Sequence, residues 1–159
     1  MIEIKNIEKH FGDSHILKDM SFSFQQGKTN LIIGESGSGK TTLLKILTGL
    51  YSNDSGSVYF DGHNFNQMSK KEQRKLRQEI GMLFQAGALY DHMTVEENII
   101  FPLTMFTDNT TQEKLERVNF CLQRVNLEGK NHLMPSELSG GMTKRVAIAR
   151  AIVMQPKYL

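Results

Sequence analysis

The chain has 159 residues, 39% of them hydrophobic and 23% charged, and its net charge at pH 7 is +2. Such a composition is ordinary for a soluble globular domain. The small charge gives no reason to expect nucleic acid as a partner, and no apolar run approaches the roughly 20 residues that cross a bilayer. The single cysteine, Cys121, excludes an internal disulfide, and its amphipathic surroundings favour a buried structural thiol.

Short strands and turns are predicted in the first part of the chain. Residues 2–7 and 15–24 predict two strands, which we expect to pair in an antiparallel manner. Residues 29–33 are a short apolar run of strand type, and residues 42–48 carry apolar side chains at helical spacing. Residues 57–60 predict a further strand, which the hairpin-type turn Asp61-Gly62 closes.

Helix starts are marked later in the chain by three capping boxes, which pair Ser69 with Glu72, Thr94 with Glu97 and Thr110 with Glu113. The first opens a charged helix to about Gln78, whose charges favour a solvated face over a binding patch. Pro102 must end or kink the second helix. Residues 80–85 predict a buried strand that ends in a glutamine. After residues 136–145, an amphipathic helix is predicted to continue through residue 153. Residues 157–159 predict the start of another strand.

A phosphate-binding pattern follows the strand-type run, in the residues Gly34-Glu35-Ser36-Gly37-Ser38-Gly39-Lys40-Thr41. Glycines let the backbone curl so that several N–H groups face one anion, and the helix that starts here directs its positive end at the phosphates. Lys40 is predicted to contact the β and γ phosphates and Thr41 to offer its hydroxyl to Mg²⁺. A glycine-rich turn without a ligand is the alternative. The loop alone leaves kinases, GTPases, motors and transporter ATPases open.

A second motif narrows this class, because Leu138-Ser139-Gly140-Gly141 stands directly before a basic amphipathic helix. A serine and two glycines at a helix N-terminus make a second anion-binding site, although an N-cap with a tight turn would explain the tetrapeptide alone. Together, the two motifs resemble those of ATP-binding cassette (ABC) ATPases, and the resemblance covers essentially the whole chain. It implies an α/β fold, the three-layer P-loop NTPase sheet with N-terminal antiparallel strands and a helical subdomain.

The resemblance also implies a domain division and a set of site residues. Residues 1–159 would form a partial ABC ATP-binding domain, with a helical subdomain at about 86–145 that holds the Q-loop and the signature motif. The implied nucleotide-binding residues are Phe11, Gly34, Glu35, Ser36, Gly37, Ser38, Gly39, Lys40, Thr41, Thr42, Ser139, Gly140 and Gly141. The implied catalytic residues are Lys40 and Gln85, and the implied metal ligands are Thr41 and Gln85.

Two of these positions carry specific expectations. Phe11 stands where the family has an aromatic side chain that stacks on adenine, although tyrosine is more usual there and a core phenylalanine is the alternative. Gln85 stands at the family's Q-loop glutamine, which reaches Mg²⁺ and the attacking water. An amide suits that position because it both donates and accepts hydrogen bonds.

The implied partners and ligands follow from the same resemblance. ATP and Mg²⁺ are the implied ligands, and the active form is a head-to-tail homodimer. In it, Ser139-Gly140-Gly141 of one copy contacts the γ-phosphate of ATP held by the phosphate loop of the other copy. Residues 86–106 resemble the surface that docks integral membrane permease subunits, which implies a cytoplasmic protein peripheral to the inner face of the cell membrane.

Within this family, residues 84–103 and 138–145 resemble the Mla-type ATPases of bacterial phospholipid trafficking, which have methionine followed by a Lys/Arg pair where Met142 and the residues after it stand. A lipoprotein- or macrolide-export ATPase and an amino-acid importer remain alternatives inside the family. A non-transport ABC ATPase that acts on DNA or ribosomes, and a nucleotide-binding fragment without turnover, are alternatives of another class.

The family's Walker B aspartate and catalytic glutamate would follow a segment like residues 155–159, and the given sequence stops there. We therefore expect a chain truncated before Walker B. Because phosphoryl transfer depends on positioning and charge neutralisation, these 159 residues alone are expected to be poorly stable and not to hydrolyse ATP.

Overall fold

The computed structural model describes residues 1–85 and 87–159. Its contacts divide the chain into two compact units, Met1–Arg77 and Gln78–Leu159. The first unit holds an antiparallel sheet and the phosphate loop, and the second is mostly helical. In the described ranges, which omit residue 86, no helix is both long enough and apolar enough to span a lipid bilayer.

The sheet of the first unit is antiparallel throughout. Its strands are Ile2–Phe11 (β1), Ser14–Phe24 (β2), Ser55–Phe60 (β3) and His63–Asn64 (β4). Their order across the sheet, among the described residues, is β2-β1-β3-β4. The predicted pairing of the first two strands is confirmed, with Ile2 opposite Phe24 and Phe11 opposite Ser14. The predicted hairpin at Asp61-Gly62 is confirmed by the pairing of β3 with β4.

Two helices accompany this sheet. They are Lys40–Leu47 (α1) and Lys70–Gln78 (α2). Helix α1 buries Leu43, Ile46 and Leu47, which recur at the i, i+3, i+4 spacing of an amphipathic helix. Helix α2 buries none of its side chains, which agrees with the predicted solvated face. The capping box of Ser69 and Glu72 opens α2 as predicted.

Two predicted strands are not continuous strands in the structure. Residues 29–33 form no ladder with any described residue, and Leu31 and Ile33 are 82% and 81% exposed. Within 80–85, an isolated parallel bridge joins Ile80 to Tyr158. A strand exists only where a neighbour accepts its backbone hydrogen bonds, so an apolar run alone was insufficient for both predictions. The bridge at Tyr158 partly confirms the strand start predicted at 157–159.

The helical unit is organised around three helices, Val95–Phe106 (α3), Thr111–Arg124 (α4) and Gly140–Ile152 (α5). Its core contains one apolar stripe from each helix, including Val95, Ile99, Leu103, Val118, Cys121, Leu122, Val146 and Ala149. Both predicted capping boxes, at Thr94 and Thr110, are confirmed. The buried position of Cys121 confirms the structural thiol, and burial raises the pKa of this thiol. Helix α3 does not end at Pro102, because the buried Leu103 keeps the following turn in the core.

Candidate functional site

The phosphate loop turns on two glycines in the left-handed region, Gly37 with φ of 83° and Gly39 with φ of 92°. An added Cβ at Gly39 would lie 2.8 Å from the Leu17 side chain of β2, so this glycine is required both by conformation and by space. At Gly37 an added Cβ would meet nothing within 4 Å, so only the backbone conformation requires glycine there. The Ser38 N–H donates to the Glu35 carbonyl at 3.2 Å and closes the turn.

The Lys40 ammonium lies inside this loop. Its Nζ donates to the carbonyl oxygens of Gly34 at 2.8 Å and Glu35 at 2.6 Å, and lies 3.5 Å from the Ser38 hydroxyl. An added Cβ at Gly34 would lie 2.8 Å from that hydroxyl, so the loop closes tightly around the lysine. The loop therefore keeps a positive charge at the point where the helix begins.

The N-terminus of α1 differs from those of the longer helices in its capping. Thr94, Thr110 and Ser139 each cap their helix through a side-chain oxygen, whereas Gly39 at the N-cap of α1 offers no side-chain hydrogen bond. The first amide groups of a helix have no partner within the helix. Those of α1 are therefore free of a side-chain cap and directed at the loop, as an anion-binding site requires.

A cavity of about 360 Å³ opens at this helix end. The residues that line it are Phe11, Ile16, Ser36, Gly37, Gly39, Lys40, Thr41 and Thr42. The structure thus brings the predicted aromatic residue at 11 together with the phosphate loop. Phe11 is 46% exposed, which excludes the alternative that it is a core phenylalanine.

The surroundings of Phe11 include residues that sequence reasoning did not single out. The Tyr51 ring meets the Phe11 ring edge-on, with centroids 5.6 Å apart and planes at 67°. Lys9 Nζ lies 5.4 Å from the centroid of the Phe11 ring. No motif in the sequence marks Tyr51, which is separated from Phe11 by the whole phosphate loop.

Asp54 anchors the end of β1 just before Phe11. Its carboxylate accepts from Lys9 Nζ at 2.7 Å, from the His10 N–H at 2.6 Å, and contacts His10 Nδ1 at 3.2 Å. The hydrogen bond from Lys9, followed by that from the His10 backbone, lowers the pKa of Asp54 to about 2.

The signature motif lies at the N-terminus of α5. Ser139 is the N-cap, and its hydroxyl accepts from the Met142 N–H at 3.3 Å. Gly140 and Gly141 are exposed, neither has a positive φ, and an added Cβ at either would meet nothing within 4 Å. These two glycines are therefore not required by the packing or the backbone of the described chain itself.

Gln85 is exposed and lies in a turn of the helical unit. Gly87 lies two residues after Gln85, and its carbonyl accepts a hydrogen bond from Arg150 Nη2 of α5 at 2.7 Å. The guanidinium carbon of Arg150 lies 5.8 Å from the Tyr90 ring centroid. Burial lowers the pKa of Arg150. This contact joins the segment after Gln85 to the signature helix, and no motif in the sequence predicts it.

The segment predicted to dock a permease contains Ala86, which lies outside the described residues, and continues through α3. The buried Asn98 organises its loop, because Asn98 Nδ2 donates to the Tyr90, Met93 and Thr94 carbonyls at 3.0–3.1 Å and Oδ1 accepts from the Tyr90 N–H. Tyr90 is 40% exposed and contacts the Phe101 ring at 5.1 Å.

A second cavity, of about 390 Å³, lies in the helical unit between the end of α3, α4 and the end of α5. Arg117 lines it, but its guanidinium donates to the Ile152 and Val153 carbonyls at 2.9 Å each. This arginine therefore caps the C-terminus of α5. In the part of the chain that the structure describes, no group of three or more His, Cys, Asp or Glu could hold a metal ion.

A family model described as ABC transporter matches residues 17–159. The chain belongs to the ABC transporter family. Solved ABC structures agree with this and confirm the predicted fold class. A dimeric structure of the bacterial ABC transporter cassette MJ0796 superposes with a TM-score of 0.89 at 35% identity, covering 98% of this chain and 71% of that chain. The same cassette in a dimeric post-hydrolysis state bound to ADP and Pi gives a TM-score of 0.87 with the same identity and coverage.

Three ABC relatives are named for different cargoes. The chain is 44% identical to the glutamine transport ATP-binding protein GlnQ of Escherichia coli, 40% to the intermembrane phospholipid transport system ATP-binding protein MlaF of Haemophilus influenzae, and 42% to the methionine import ATP-binding protein MetN of Clostridium acetobutylicum. All of this chain is covered, and 66%, 60% and 49% of those proteins respectively. The chain thus spans about half to two thirds of the length of these curated relatives.

Proposed function

We propose that this chain binds ATP as part of the ATP-hydrolysing subunit of an ABC transporter. The observation that carries the proposal is the N-terminus of α1, which has no side-chain cap, holds Lys40 inside the phosphate loop and opens onto a cavity beside Phe11. The solved relative bound to ADP and Pi supports nucleotide as the ligand.

The binding chemistry follows from the groups around the loop. The α1 amides and the backbone at Gly37 and Gly39 face the phosphates, and Lys40 exchanges its carbonyl partners for phosphate oxygens. The Thr41 hydroxyl is the proposed protein ligand of Mg²⁺, which neutralises charge on the phosphates. Phe11 provides an exposed aromatic face for the base.

The second half of the proposal concerns the partner subunits. Ser139, Gly140 and Gly141 of one copy approach the γ-phosphate bound by the other copy in a head-to-tail homodimer. The exposed glycines, which their own chain does not require, support this close approach. On the family resemblance, the Gln85 side chain is proposed to reach Mg²⁺ and the attacking water. Residues 86–106 are proposed to dock a permease, which would hold the protein at the inner face of the cell membrane.

Replacing Lys40 tests the nucleotide site most simply. Lys40→Met removes a charge-assisted contact, and we expect ATP affinity in the intact protein to fall by about 10- to 100-fold, measured by titration calorimetry. Lys18→Met, which removes an exposed lysine of β2, is the matched control and should leave affinity within about 2-fold. Equal ATP affinity in the wild type and Lys40→Met would contradict the proposal, as would failure of the wild type to bind ATP.

For the cargo, we propose phospholipid, because residues 84–103 and 138–145 resemble the Mla type and MlaF is among the relatives. Amino acid is the second candidate, because GlnQ and MetN are 44% and 42% identical to this chain. ATP turnover of the assembled transporter distinguishes them. Phospholipid vesicles are expected to stimulate turnover, whereas glutamine or methionine with its binding protein is not, and the reverse pattern would exclude phospholipid.

A further inference from the structure

The Phe11 ring receives one contact from β1 itself, from Lys9 Nζ at 5.4 Å from the ring centroid. Phe11 is the last residue of β1, opposite Ser14 at the end of the pairing with β2, and nearly half of it is exposed. A ring that stacks on a base contributes most when its orientation is fixed before binding, because ordering a mobile side chain costs free energy. A long lysine side chain fixes a ring poorly on its own, so a rigid contact from elsewhere in the first unit would matter for the orientation of Phe11.

Tyr51 provides such a contact from the loop that follows α1. Its ring meets the Phe11 ring edge-on, at 5.6 Å and 67°, which is a favourable geometry for two aromatic rings. The cavity that opens on the phosphate loop is also lined by Phe11, whereas Tyr51 is not among its lining residues. Tyr51 thus contacts the aromatic platform without occupying the ligand space.

Helix α1 in turn holds Tyr51. The Tyr51 N–H donates to the Lys45 carbonyl at 3.0 Å, and Lys45 Nζ donates to the Tyr51 hydroxyl at 3.3 Å. Lys45 lies one helical turn after Thr41, on the helix whose N-terminus faces the phosphates. A continuous chain of contacts therefore joins the phosphate-binding helix to the aromatic platform.

Asp54, at the other end of the same loop, fixes the backbone beside the platform. Its carboxylate accepts from the His10 N–H at 2.6 Å, and its own N–H donates to the Glu8 carbonyl at 2.9 Å. The loop after α1 thus contacts β1 in two ways: Asp54 binds the β1 backbone next to Phe11, and Tyr51 contacts the Phe11 ring. Both contacts lie within the Met1–Arg77 unit.

We propose that Tyr51 is a positioning residue for the base of the bound nucleotide, holding the Phe11 ring in its stacking orientation and linking it through Lys45 to α1. This inference rests on the proposed nucleotide-binding function. It predicts that Tyr51 matters for ligands that carry a base and has no effect on ligands that consist of phosphates alone.

The test compares ATP with tripolyphosphate in the intact protein by titration calorimetry. Tyr51→Ala is expected to weaken ATP binding by about 2- to 10-fold and tripolyphosphate binding by less than about 2-fold. Tyr51→Phe keeps the ring contact and the backbone hydrogen bond to the Lys45 carbonyl and loses only the hydroxyl, so it should retain most of the ATP affinity. Tyr59→Ala is the matched control, because Tyr59 lies on β3 opposite Glu3, at the other end of β1 from Phe11.

Each outcome separates the inference from the function on which it rests. Selective loss of ATP affinity in Tyr51→Ala, with rescue by Tyr51→Phe, supports the positioning role. Equal weakening of both ligands would mean that Tyr51 only stabilises the fold, and unchanged affinities would mean that it does not position the base. Either result overturns the inference while nucleotide binding stands. A wild type that binds neither ligand overturns the proposed function as well.

Discussion

Glycines of the two motifs stand in different physical environments. Gly39 has a φ of 92°, and an added Cβ there would lie 2.8 Å from the Leu17 side chain, so its own chain disfavours a larger residue. Gly140 has neither constraint, since its backbone is ordinary and the space around it is open. The open space at Gly140 is therefore available to another molecule that approaches closely.

The Asp54 carboxylate leads to a prediction about how the stability of the fold depends on pH. Hydrogen bonds from Lys9 and from the His10 backbone hold its pKa at about 2, below the ordinary value of 3.8. A carboxyl group whose pKa is depressed on folding stabilises the folded state above its unfolded pKa, and this contribution is lost as the pH falls through the folded pKa. The difference in unfolding free energy between the wild type and Asp54→Asn should therefore be constant above about pH 5 and shrink between about pH 4 and pH 2.

Denaturant unfolding of the intact protein at a series of pH values measures this difference. The variant Glu8→Gln is a suitable control, because Glu8 lies on the same strand, and only its backbone carbonyl contacts Asp54. If the Asp54→Asn difference did not change between about pH 5 and pH 2, Asp54 would not be the charged anchor of this loop.

Among the elements, helices were better predicted from sequence than strands. Ser69, Thr94 and Thr110 each predicted the start of a helix correctly. A capping box is formed by residues three apart, so the sequence itself contains the whole motif. Residues 29–33 failed as a strand because strand formation depends on a neighbour elsewhere in the chain, and no described residue provides one. The apolar pattern alone carries no information about that neighbour.

The same difference between local and distant contacts applies to the candidate site. The phosphate loop and the signature motif were found from sequence because each is a short run of residues whose spacing reflects its chemistry. Tyr51 and Arg150 were missed, because they act on Phe11 and Gly87 through contacts between distant parts of the chain. Only the fold reveals which side chains support a motif.

For the molecule as a whole, membership of the ABC transporter family and the geometry of two motifs support one account. The phosphate loop lies in the Met1–Arg77 unit, and the signature motif lies in the Gln78–Leu159 unit. Each motif presents the N-terminus of a helix, and one solved relative, MJ0796, is a dimer in two structures. We therefore propose that the signature motif of one copy completes the site for ATP bound by the loop of another copy.

Gly140→Asp provides a specific probe of this claim. An aspartate in the first turn of α5 fits the open space at Gly140 and favours the helix N-terminus, so the folded state should be as stable as the wild type or slightly more so. Its charge would, however, repel a triphosphate presented by a partner. Gln112→Asp adds the same charge to the first turn of α4 and serves as the matched control.

The most direct measurement is sedimentation velocity of the intact protein with and without a slowly hydrolysed ATP analogue. We expect the analogue to convert the wild type and Gln112→Asp from monomer to dimer, while Gly140→Asp binds the analogue and stays monomeric. Dimerisation of Gly140→Asp to the same extent as the wild type would contradict the proposal.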